Sequence, residues 1–229
     1  MKRRDIVFLV LAGFFIANAV IGEMIGGKLI QIGPFMMSIG IIPWPVVFLS
    51  TDLINEYFGK KGVRTITFLT AGLIVYTFII LFAGMSVGSA SFSPVNSEQF
   101  NAVFGQSLWI IAGSLTAFLL SQLIDVGVFW LIRSRTGHKL IWLRATGSTV
   151  VSQLIDTFVV SGIAFWLPGK ITLSEYVNVA FTGYVFKFMI ALAVTPLIYL
   201  GHAAVRRYLG EEESEKLVAE ASKATIGES

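Results

Sequence analysis

Six long apolar runs constrain the fold of this chain more than any other feature of its sequence. A run of about 20 apolar residues crosses a hydrocarbon layer about 30 Å thick as one helix. Runs of this length lie at residues 6–22, 31–51, 65–85, 107–131, 146–167 and 177–204. They predict an all-α integral membrane protein, in which residues 1–209 form a single domain of six transmembrane helices and residues 210–229 form a short polar tail.

Lysine and arginine residues give these helices an orientation, because cytoplasmic loops and ends accumulate them. Basic clusters precede the first run and follow the second, fourth and sixth runs: Lys2, Arg3, Arg4, Lys60, Lys61, Arg64, Arg133, Arg135, Lys139, Arg144, Arg206 and Arg207. The other three loops contain only two basic residues, Lys28 and Lys170. This alternation predicts that both termini, and therefore the polar tail, are cytoplasmic.

The first two runs each raise a question. The basic start, the apolar core and the sequence Ala17-Asn18-Ala19 together resemble a signal peptide, but apolar residues continue to Ile21, so we expect a retained helix. The second run contains Pro43 and Pro45. Proline inside a helix removes a hydrogen bond and clashes with the preceding turn, so we expect the second helix to be broken near these two residues.

Polar residues recur in the same order inside the apolar runs. The string SQLID occurs at Ser121–Asp125 and again at Ser152–Asp156, and a related string, TDLIN, lies at residues 51–55. Helical residues four apart lie on one face, so each SQLID copy carries a hydroxyl, an amide and a carboxylate along one stripe. Consecutive crossings run in opposite directions, and we therefore expect the two copies to be antiparallel.

Asp156 and Lys187 are predicted to lie at the same depth in the membrane. At a rise of 1.5 Å per residue, Asp156 lies about 18 Å from Arg144, and Lys187 lies about 16 Å from Tyr176 on the external side. A charge that faces lipid at a helix centre costs about 2.5–3.5 kcal/mol, so these side chains must face the interior. Either they form a buried ion pair beside glutamines that hold the helices together, or they belong to a polar cavity.

We favour a polar cavity, because a buried ion pair is often replaced by apolar residues without loss of stability. Carboxylates, amides and hydroxyls beside aromatic rings suit a flat heteroaromatic molecule, since rings stack on its face and polar groups discriminate its edge. The candidate binding residues are Trp44, Asp52, Asn55, Ser121, Gln122, Asp125, Ser152, Gln153, Asp156 and Lys187.

Three segments resemble the queuosine precursor transporter family, also called the vitamin uptake transporter family. They are STDLINEYFGKKGVR at 50–64, FNAVFGQSLWIIAGSLTAFLLSQLIDVGVF at 100–129 and RATGSTVVSQLIDTFVV at 144–160, and the resemblance extends from about Pro43 to Tyr199. It implies a protein of the bacterial inner membrane that imports a nucleobase for transfer RNA modification. The implied substrates are 7-cyano-7-deazaguanine, 7-aminomethyl-7-deazaguanine and queuine.

For such a base, the spacing of the polar residues suggests a role for each. We expect Asp125 or Asp156 to accept hydrogen bonds from the N–H and amino groups of the guanine-like edge. Gln122, Gln153 and Asn55 would contact the remaining polar atoms. Lys187 would balance charge or donate to the carbonyl oxygen of the base.

Metal and nucleic-acid functions are not indicated. The chain has no cysteine, and His138 and His202 lack the spacing of metal ligands, so we expect no metal and no cofactor. The formal charge of +3 is spread over the loops and ends, so we expect no nucleic-acid partner. The partners that we expect are the nucleobase and the lipid bilayer, and a homo-oligomer stays open.

Three other functions are alternatives to a lone transporter. No phosphate-binding glycine loop is present, so a vitamin-binding subunit of an energy-coupling-factor system would require separate ATPase partners. Two intramembrane aspartates can form an aspartyl protease dyad, but no Gly-x-Gly-Asp sequence accompanies either one. A scaffold protein is the third alternative. We predict a transporter and not an enzyme, and leave proton coupling and facilitated diffusion open.

Overall fold

The computed structural model of the chain describes residues 2–33, 35–105, 108–136 and 140–226. These residues form the α-helices α1 Arg3–Ile25, α2 Trp44–Met85, α3 Ser97–Phe104, α4 Leu108–Thr136, α5 Ile141–Ser161, α6 Leu173–Leu209 and α7 Glu211–Ile226. A π-helix at Gly162–Trp166 continues α5, and a 3-10 helix occupies Ile39–Ile41. The sequence predictions that concern His138, Lys139 and residues 227–229 fall outside the described ranges.

Five helical segments of the described residues are long and apolar enough to cross a membrane. They are Arg3–Ile25, Ile39–Met85, Ser97–Thr136, Ile141–Trp166 and Leu173–Leu209. The predicted fold class, an all-α multi-pass membrane protein, is thereby confirmed. The apolar runs at 31–51 and 65–85, predicted as two helices, both fall largely within the 47-residue segment Ile39–Met85.

The second apolar run is not a single helix. Strand β1, Leu29–Ile32, pairs antiparallel with β2, Phe35–Ser38, with Leu29 opposite Ser38. Helix α2 begins only at Trp44 and has Pro45 in its first turn, where the missing N–H of proline leaves no hydrogen bond unmade. The run is therefore interrupted near Pro43 and Pro45, as expected, but the residues before the prolines form a hairpin and a 3-10 helix and not a first half of the same helix.

The hairpin of β1 and β2 packs at the end of α1. Ser38 Oγ donates to the carbonyl oxygen of Gly26 at 2.7 Å. Gly40 approaches α1 so closely that a Cβ at this position would lie 2.6 Å from the carbonyl oxygen of Gly22. Only glycine permits such an approach, so the hairpin is fixed against the end of α1 that is remote from Arg3.

Helix α2 changes direction at Gly59, which has φ of 70° and ψ of −175°. This conformation is open to glycine and strained for other residues. Beside it, the rings of Phe8 and Phe58 lie 5.0 Å apart, and a Cβ at Gly62 would lie 3.3 Å from the Ile54 side chain. The two arms of α2, residues 44–58 and 60–85, therefore meet near the start of α1.

The two ends of the membrane domain lie together. Arg3 Nη1 donates to the carbonyl oxygen of Tyr208 at 3.3 Å, which joins the start of α1 to the end of α6. Helix α7 folds back onto the same end, where Leu217 is buried in a cluster with Val7, Leu53 and Val205. The tail, expected to be short and polar, is a helix that also packs on the domain through Leu217 and Val218.

An ion network at this end joins four helices. Glu56 Oε2 on α2 accepts from Arg133 Nη1 of α4 at 3.1 Å and from Arg144 Nη2 of α5 at 2.6 Å. Arg133 also donates to Ser222 Oγ at 2.6 Å and to the carbonyl oxygen of Val218 on α7. All three charged side chains are buried, so each charge is compensated by the protein and not by water.

We predict that Glu56→Gln strongly destabilises the protein. The substitution leaves two buried guanidinium groups without their carboxylate, and breaking a buried ion pair costs about 3–5 kcal/mol. Unfolding in detergent measures the loss. Glu211→Gln is the matched control, because Glu211 pairs with Arg206 at the surface and an exposed pair contributes at most about 1 kcal/mol. Equal, small losses in the two variants would contradict a structural role for this network.

Candidate functional site

The two SQLID copies meet in the interior and exchange hydrogen bonds. Ser121 Oγ donates to Asp156 Oδ1 at 3.5 Å, and Ser152 Oγ donates to Asp125 Oδ1 at 3.1 Å. The serine of each copy thus contacts the aspartate of the other, which requires antiparallel helices related by an approximate two-fold axis. The predicted antiparallel arrangement of the copies is confirmed, and the aspartates bond to serines and not to each other as in a protease dyad.

Lys187 on α6 makes the two copies unequal. Its Nζ donates to Asp156 Oδ2 at 2.5 Å, and the side chains of Lys187 and Asp156 are 16% and 9% exposed. The predicted shared depth of these two residues is therefore confirmed, but the ion pair that they form is the alternative that we did not favour for them. Within the described ranges, no lysine or arginine lies within salt-bridge distance of Asp125, so only the second copy has its carboxylate neutralised.

A small polar cavity lies between α2, α4 and α5. Its lining residues are Phe48, Thr51, Ser121, Gln122, Asp125, Thr149, Ser152 and Gln153. The cavity volume is about 10 Å³, which is roughly the volume that one water molecule requires. The predicted room for a planar base is therefore absent from this conformation, and a base can enter only if these helices separate.

Several buried polar atoms beside this cavity have no hydrogen-bond partner among the described residues. They are Asp52 Oδ1, both amide atoms of Asn55, and Gln122 Oε1. Asp52, Asn55 and Gln122 are 3%, 0% and 4% exposed. Leaving such a group unsatisfied costs about 1–3 kcal/mol, and unsatisfied buried groups are rare in folded proteins. The site thus carries hydrogen-bonding capacity that the protein itself does not use.

The ten predicted site residues divide into two groups. The cavity is lined by five of them, Ser121, Gln122, Asp125, Ser152 and Gln153. The other five, Trp44, Asp52, Asn55, Asp156 and Lys187, are not among its lining residues. The Trp44 ring packs at 5.8 Å from Phe48, which does line the cavity. Asp156 and Lys187 connect to the cavity through Ser121.

Three lining residues, Phe48, Thr51 and Thr149, and the nearby Glu23 are not among the ten predicted site residues. Thr149 lines the cavity and lies three residues before Ser152, so extending the SQLID face by one turn would have found it. Glu23 on α1 is buried, its carboxylate hydrogen-bonds with Ser114, and it interacts electrostatically with Asp156 and Lys187. The sequence could have indicated Glu23, because it is the one acidic residue between Asp5 and Asp52 and lies next to the apolar run at 6–22.

Comparison with known proteins identifies similar chains. A family described as "Putative vitamin uptake transporter" matches residues 38–201. A "Probable queuosine precursor transporter" of Bacillus subtilis (strain 168) is 30% identical over 174 residues, which cover 75% of this chain and 74% of that protein.

Two further relatives carry similar names. A "Probable queuosine precursor transporter" of Haemophilus influenzae is 28% identical over 208 residues, 83% of each chain. The "Queuosine precursor transporter" of Escherichia coli (strain K12) is 31% identical over 158 residues, 67% of this chain and 66% of that protein. No solved structure matches the chain.

We predict that Lys187→Met destabilises the empty protein by about 3 kcal/mol, because it leaves the Asp156 carboxylate buried without its cation. Adding Asp156→Asn should restore at least half of this loss, since the uncompensated charge is then removed. Unfolding of the two single variants and the double variant measures the coupling. Lys170→Met is the control, because Lys170 is exposed and should change stability by less than about 0.5 kcal/mol. Additive losses in the double variant would contradict a direct ion pair.

Proposed function

Because the chain belongs to the vitamin uptake transporter family, which is a family of transporters and not of enzymes, we propose that it imports queuosine precursors across the bacterial inner membrane. The family resemblance of the segments 50–64, 100–129 and 144–160 is thereby confirmed. The proposed substrates are 7-cyano-7-deazaguanine, 7-aminomethyl-7-deazaguanine and queuine, which serve transfer RNA modification. The observation that carries the proposal is the polar cavity between the two SQLID copies.

The polar groups at this cavity complement the edge of a guanine-like base. Such an edge presents an N–H and an amino group side by side, which one carboxylate can accept together. Asp125 lines the cavity without a cation beside it, and Gln122 Oε1 and the Asn55 amide are available for further hydrogen bonds. A base would satisfy these buried groups, and analogues without its donors would leave them unpaired.

The present conformation supports an occluded state of the transporter. The cavity admits about one water molecule, and the Glu56 network joins α2, α4 and α5, the helices that form the cavity. Asp125 and Arg133 are eight residues apart on α4, so this network lies about 12 Å from the cavity. Import then requires separation of the helices on the external side, followed by separation of Glu56 from its arginines on the internal side.

We also propose six crossings with both termini in the cytoplasm. The turn at Gly59 lets the two arms of α2 cross in opposite directions. The contact between Arg3 and Tyr208 holds the two ends of the domain together, as an even number of crossings requires. The basic residues that cluster at this end then lie on the cytoplasmic side, in accord with the usual bias.

Labelling of single cysteines tests this topology without background, because the chain contains no cysteine. Cysteine at Ser91, which lies between α2 and α3, should react with an impermeant thiol reagent in intact cells. Cysteines at Lys61, beside the Gly59 turn, and at Glu220 on α7 should react only after permeabilisation. Labelling of Lys61→Cys from outside would overturn the six-helix arrangement, since α2 would then not return to the cytoplasmic side at Gly59.

Thermal unfolding of the purified protein with a panel of small molecules tests the substrate class. A ligand that binds only the folded state at 100 times its Kd stabilises it by about 2.7 kcal/mol. The three proposed bases should raise the melting temperature, and biotin should not. A response to biotin alone would favour a vitamin-binding subunit, and failure of the lone chain to import in liposomes would indicate that it needs ATPase partners.

Gln122→Leu separates a ligand contact from a structural one. Because Gln122 Oε1 has no partner in the empty protein, its removal should not lower stability. Loss of its hydrogen bond to a bound base should raise Kd by about tenfold or more, as measured by titration calorimetry with the base that stabilises most. Gln31→Leu, in the exposed hairpin, should leave Kd unchanged. Reduced stability with unaltered Kd would make Gln122 a structural residue.

A further inference from the structure

We propose that Asp125 and Asp52 together hold one proton that is transported with the base, so that import is driven by the proton gradient. This inference rests on the proposed import function and names its energy source. It starts from the inequality of the two SQLID copies. Asp156 is neutralised by Lys187, whereas Asp125 receives the Ser152 hydroxyl at 3.1 Å and has no described cation beside it.

The charged side chains of the interior lie on the helices packed around Asp52 and Asp125, and Asp52 interacts electrostatically with Asp125, Glu56 and Arg144. They are Asp52 and Glu56 on α2, Arg133 on α4 with Asp125 itself, Arg144 and Asp156 on α5, Lys187 on α6, and Glu23 on α1, which interacts with Asp156 and Lys187. Lys187 is occupied by Asp156, and both arginines are occupied by Glu56. The inner group of three carboxylates and two guanidinium groups therefore has one negative charge in excess when every member is ionised.

One proton removes this excess. Asp52 interacts electrostatically with Asp125, and two buried carboxylates near each other cannot both be ionised without a large cost. A proton shared by such a pair belongs to both groups together.

Two further observations point to a ligand at this pair. Gln122, 4% exposed and without a partner for its Oε1, lines the same cavity as Asp125. Asp52 Oδ1 is also unpartnered and buried. The cavity has room for about one water molecule, which is sufficient to bring a proton to Asp125.

The position of Asp52 on α2 explains how the proton is released inward. Asp52 precedes Glu56 by four residues, so the two carboxylates share a helix face, and Arg144 interacts with both. While Arg144 is bound to Glu56, Asp52 keeps the proton and ionised Asp125 accepts the donor edge of the base. When the inner side opens and Arg144 moves towards Asp52, its positive charge favours the carboxylate, and the proton passes from the Asp52 oxygen to cytoplasmic water.

Transport by the full chain in liposomes tests the coupling, with labelled 7-cyano-7-deazaguanine as the probe and the membrane potential held at zero by potassium and valinomycin. Exchange of the base at equal pH tests the proposed function. Uptake with an exterior more acidic by one pH unit tests the coupling. If one proton enters with each base, the concentration of base inside should rise to about ten times the concentration outside. A trapped pH indicator should report acidification of the interior during uptake by the unaltered protein.

Variants assign the proton to the pair. In Asp52→Asn, the ratio of uptake with and without the gradient should fall to about one, at whatever rate the variant retains. Glu98→Gln removes an exposed carboxylate on α3 and should keep the full ratio. Full gradient dependence in Asp52→Asn would overturn the assignment to this pair.

The outcomes separate the two proposals. Exchange without gradient-driven accumulation, accumulation that follows sodium, or uptake without internal acidification would overturn proton coupling and leave the import function standing. Absence of any exchange by the unaltered protein, with each of the three proposed bases as the probe, would overturn the import function itself. If Asp52→Asn transports nothing, the pH indicator in liposomes with the unaltered protein tests proton coupling instead. Acidification of the interior during uptake supports the coupling, and its absence contradicts it.

Discussion

A charged side chain inside a hydrocarbon layer has no water to stabilise it, so its partner must come from the protein. In this chain the partners come from different helices: Glu56 of α2 binds arginines of α4 and α5, and Asp156 of α5 binds Lys187 of α6. Apolar packing cannot choose between helix faces in lipid as it does in water, because lipid tails are as apolar as leucine. These ion pairs, together with the reciprocal serine and aspartate contacts, therefore determine which faces of the helices meet.

The pairs occupy two layers that α2 connects. One layer contains the two SQLID copies and the cavity, and the other contains Glu56 with its two arginines. Asp52 and Glu56 are one helical turn apart, so a rotation or shift of the first arm of α2 moves both layers together. Packed interfaces switch between discrete arrangements and do not deform continuously. Separation at the inner layer is therefore expected to change the contacts of Asp52 and Asp125 in the other.

The sequence predicted those features that follow from the cost of burying charge. The apolar runs predicted the membrane class, the SQLID copies predicted an antiparallel arrangement, and helix rise placed Asp156 and Lys187 at one depth. That these two residues form an ion pair was the less favoured of two interpretations, because depth alone does not tell a pair from a shared cavity. The hairpin of β1 and β2 was not predicted, because a short apolar run does not distinguish a strand from part of a helix.

Other features depend on tertiary contacts that a single sequence does not contain. The burial of Leu217 requires the cluster formed by α1, α2 and α6, so the polar composition of residues 210–229 did not indicate that this helix packs on the domain. Glu23 was missed because its partners, Ser114, Asp156 and Lys187, are distant in sequence. The size of the cavity depends on how closely α2, α4 and α5 approach, which no pattern of residue types specifies.

The two SQLID copies have different charged partners, and this difference makes the site asymmetric across the membrane. Two antiparallel copies related by a two-fold axis present the same chemical groups towards both sides of a membrane, and such a site has no preferred side by itself. Lys187 neutralises the carboxylate of one copy only, and Asp52 adds a carboxylate beside the other. The second feature lies one helical turn from the Glu56 network, on the side that the basic residues assign to the cytoplasm. Under the proposed transport cycle, a base and a proton bound between the copies approach Arg144 on the inner side, and the positive charge of Arg144 favours loss of the proton there.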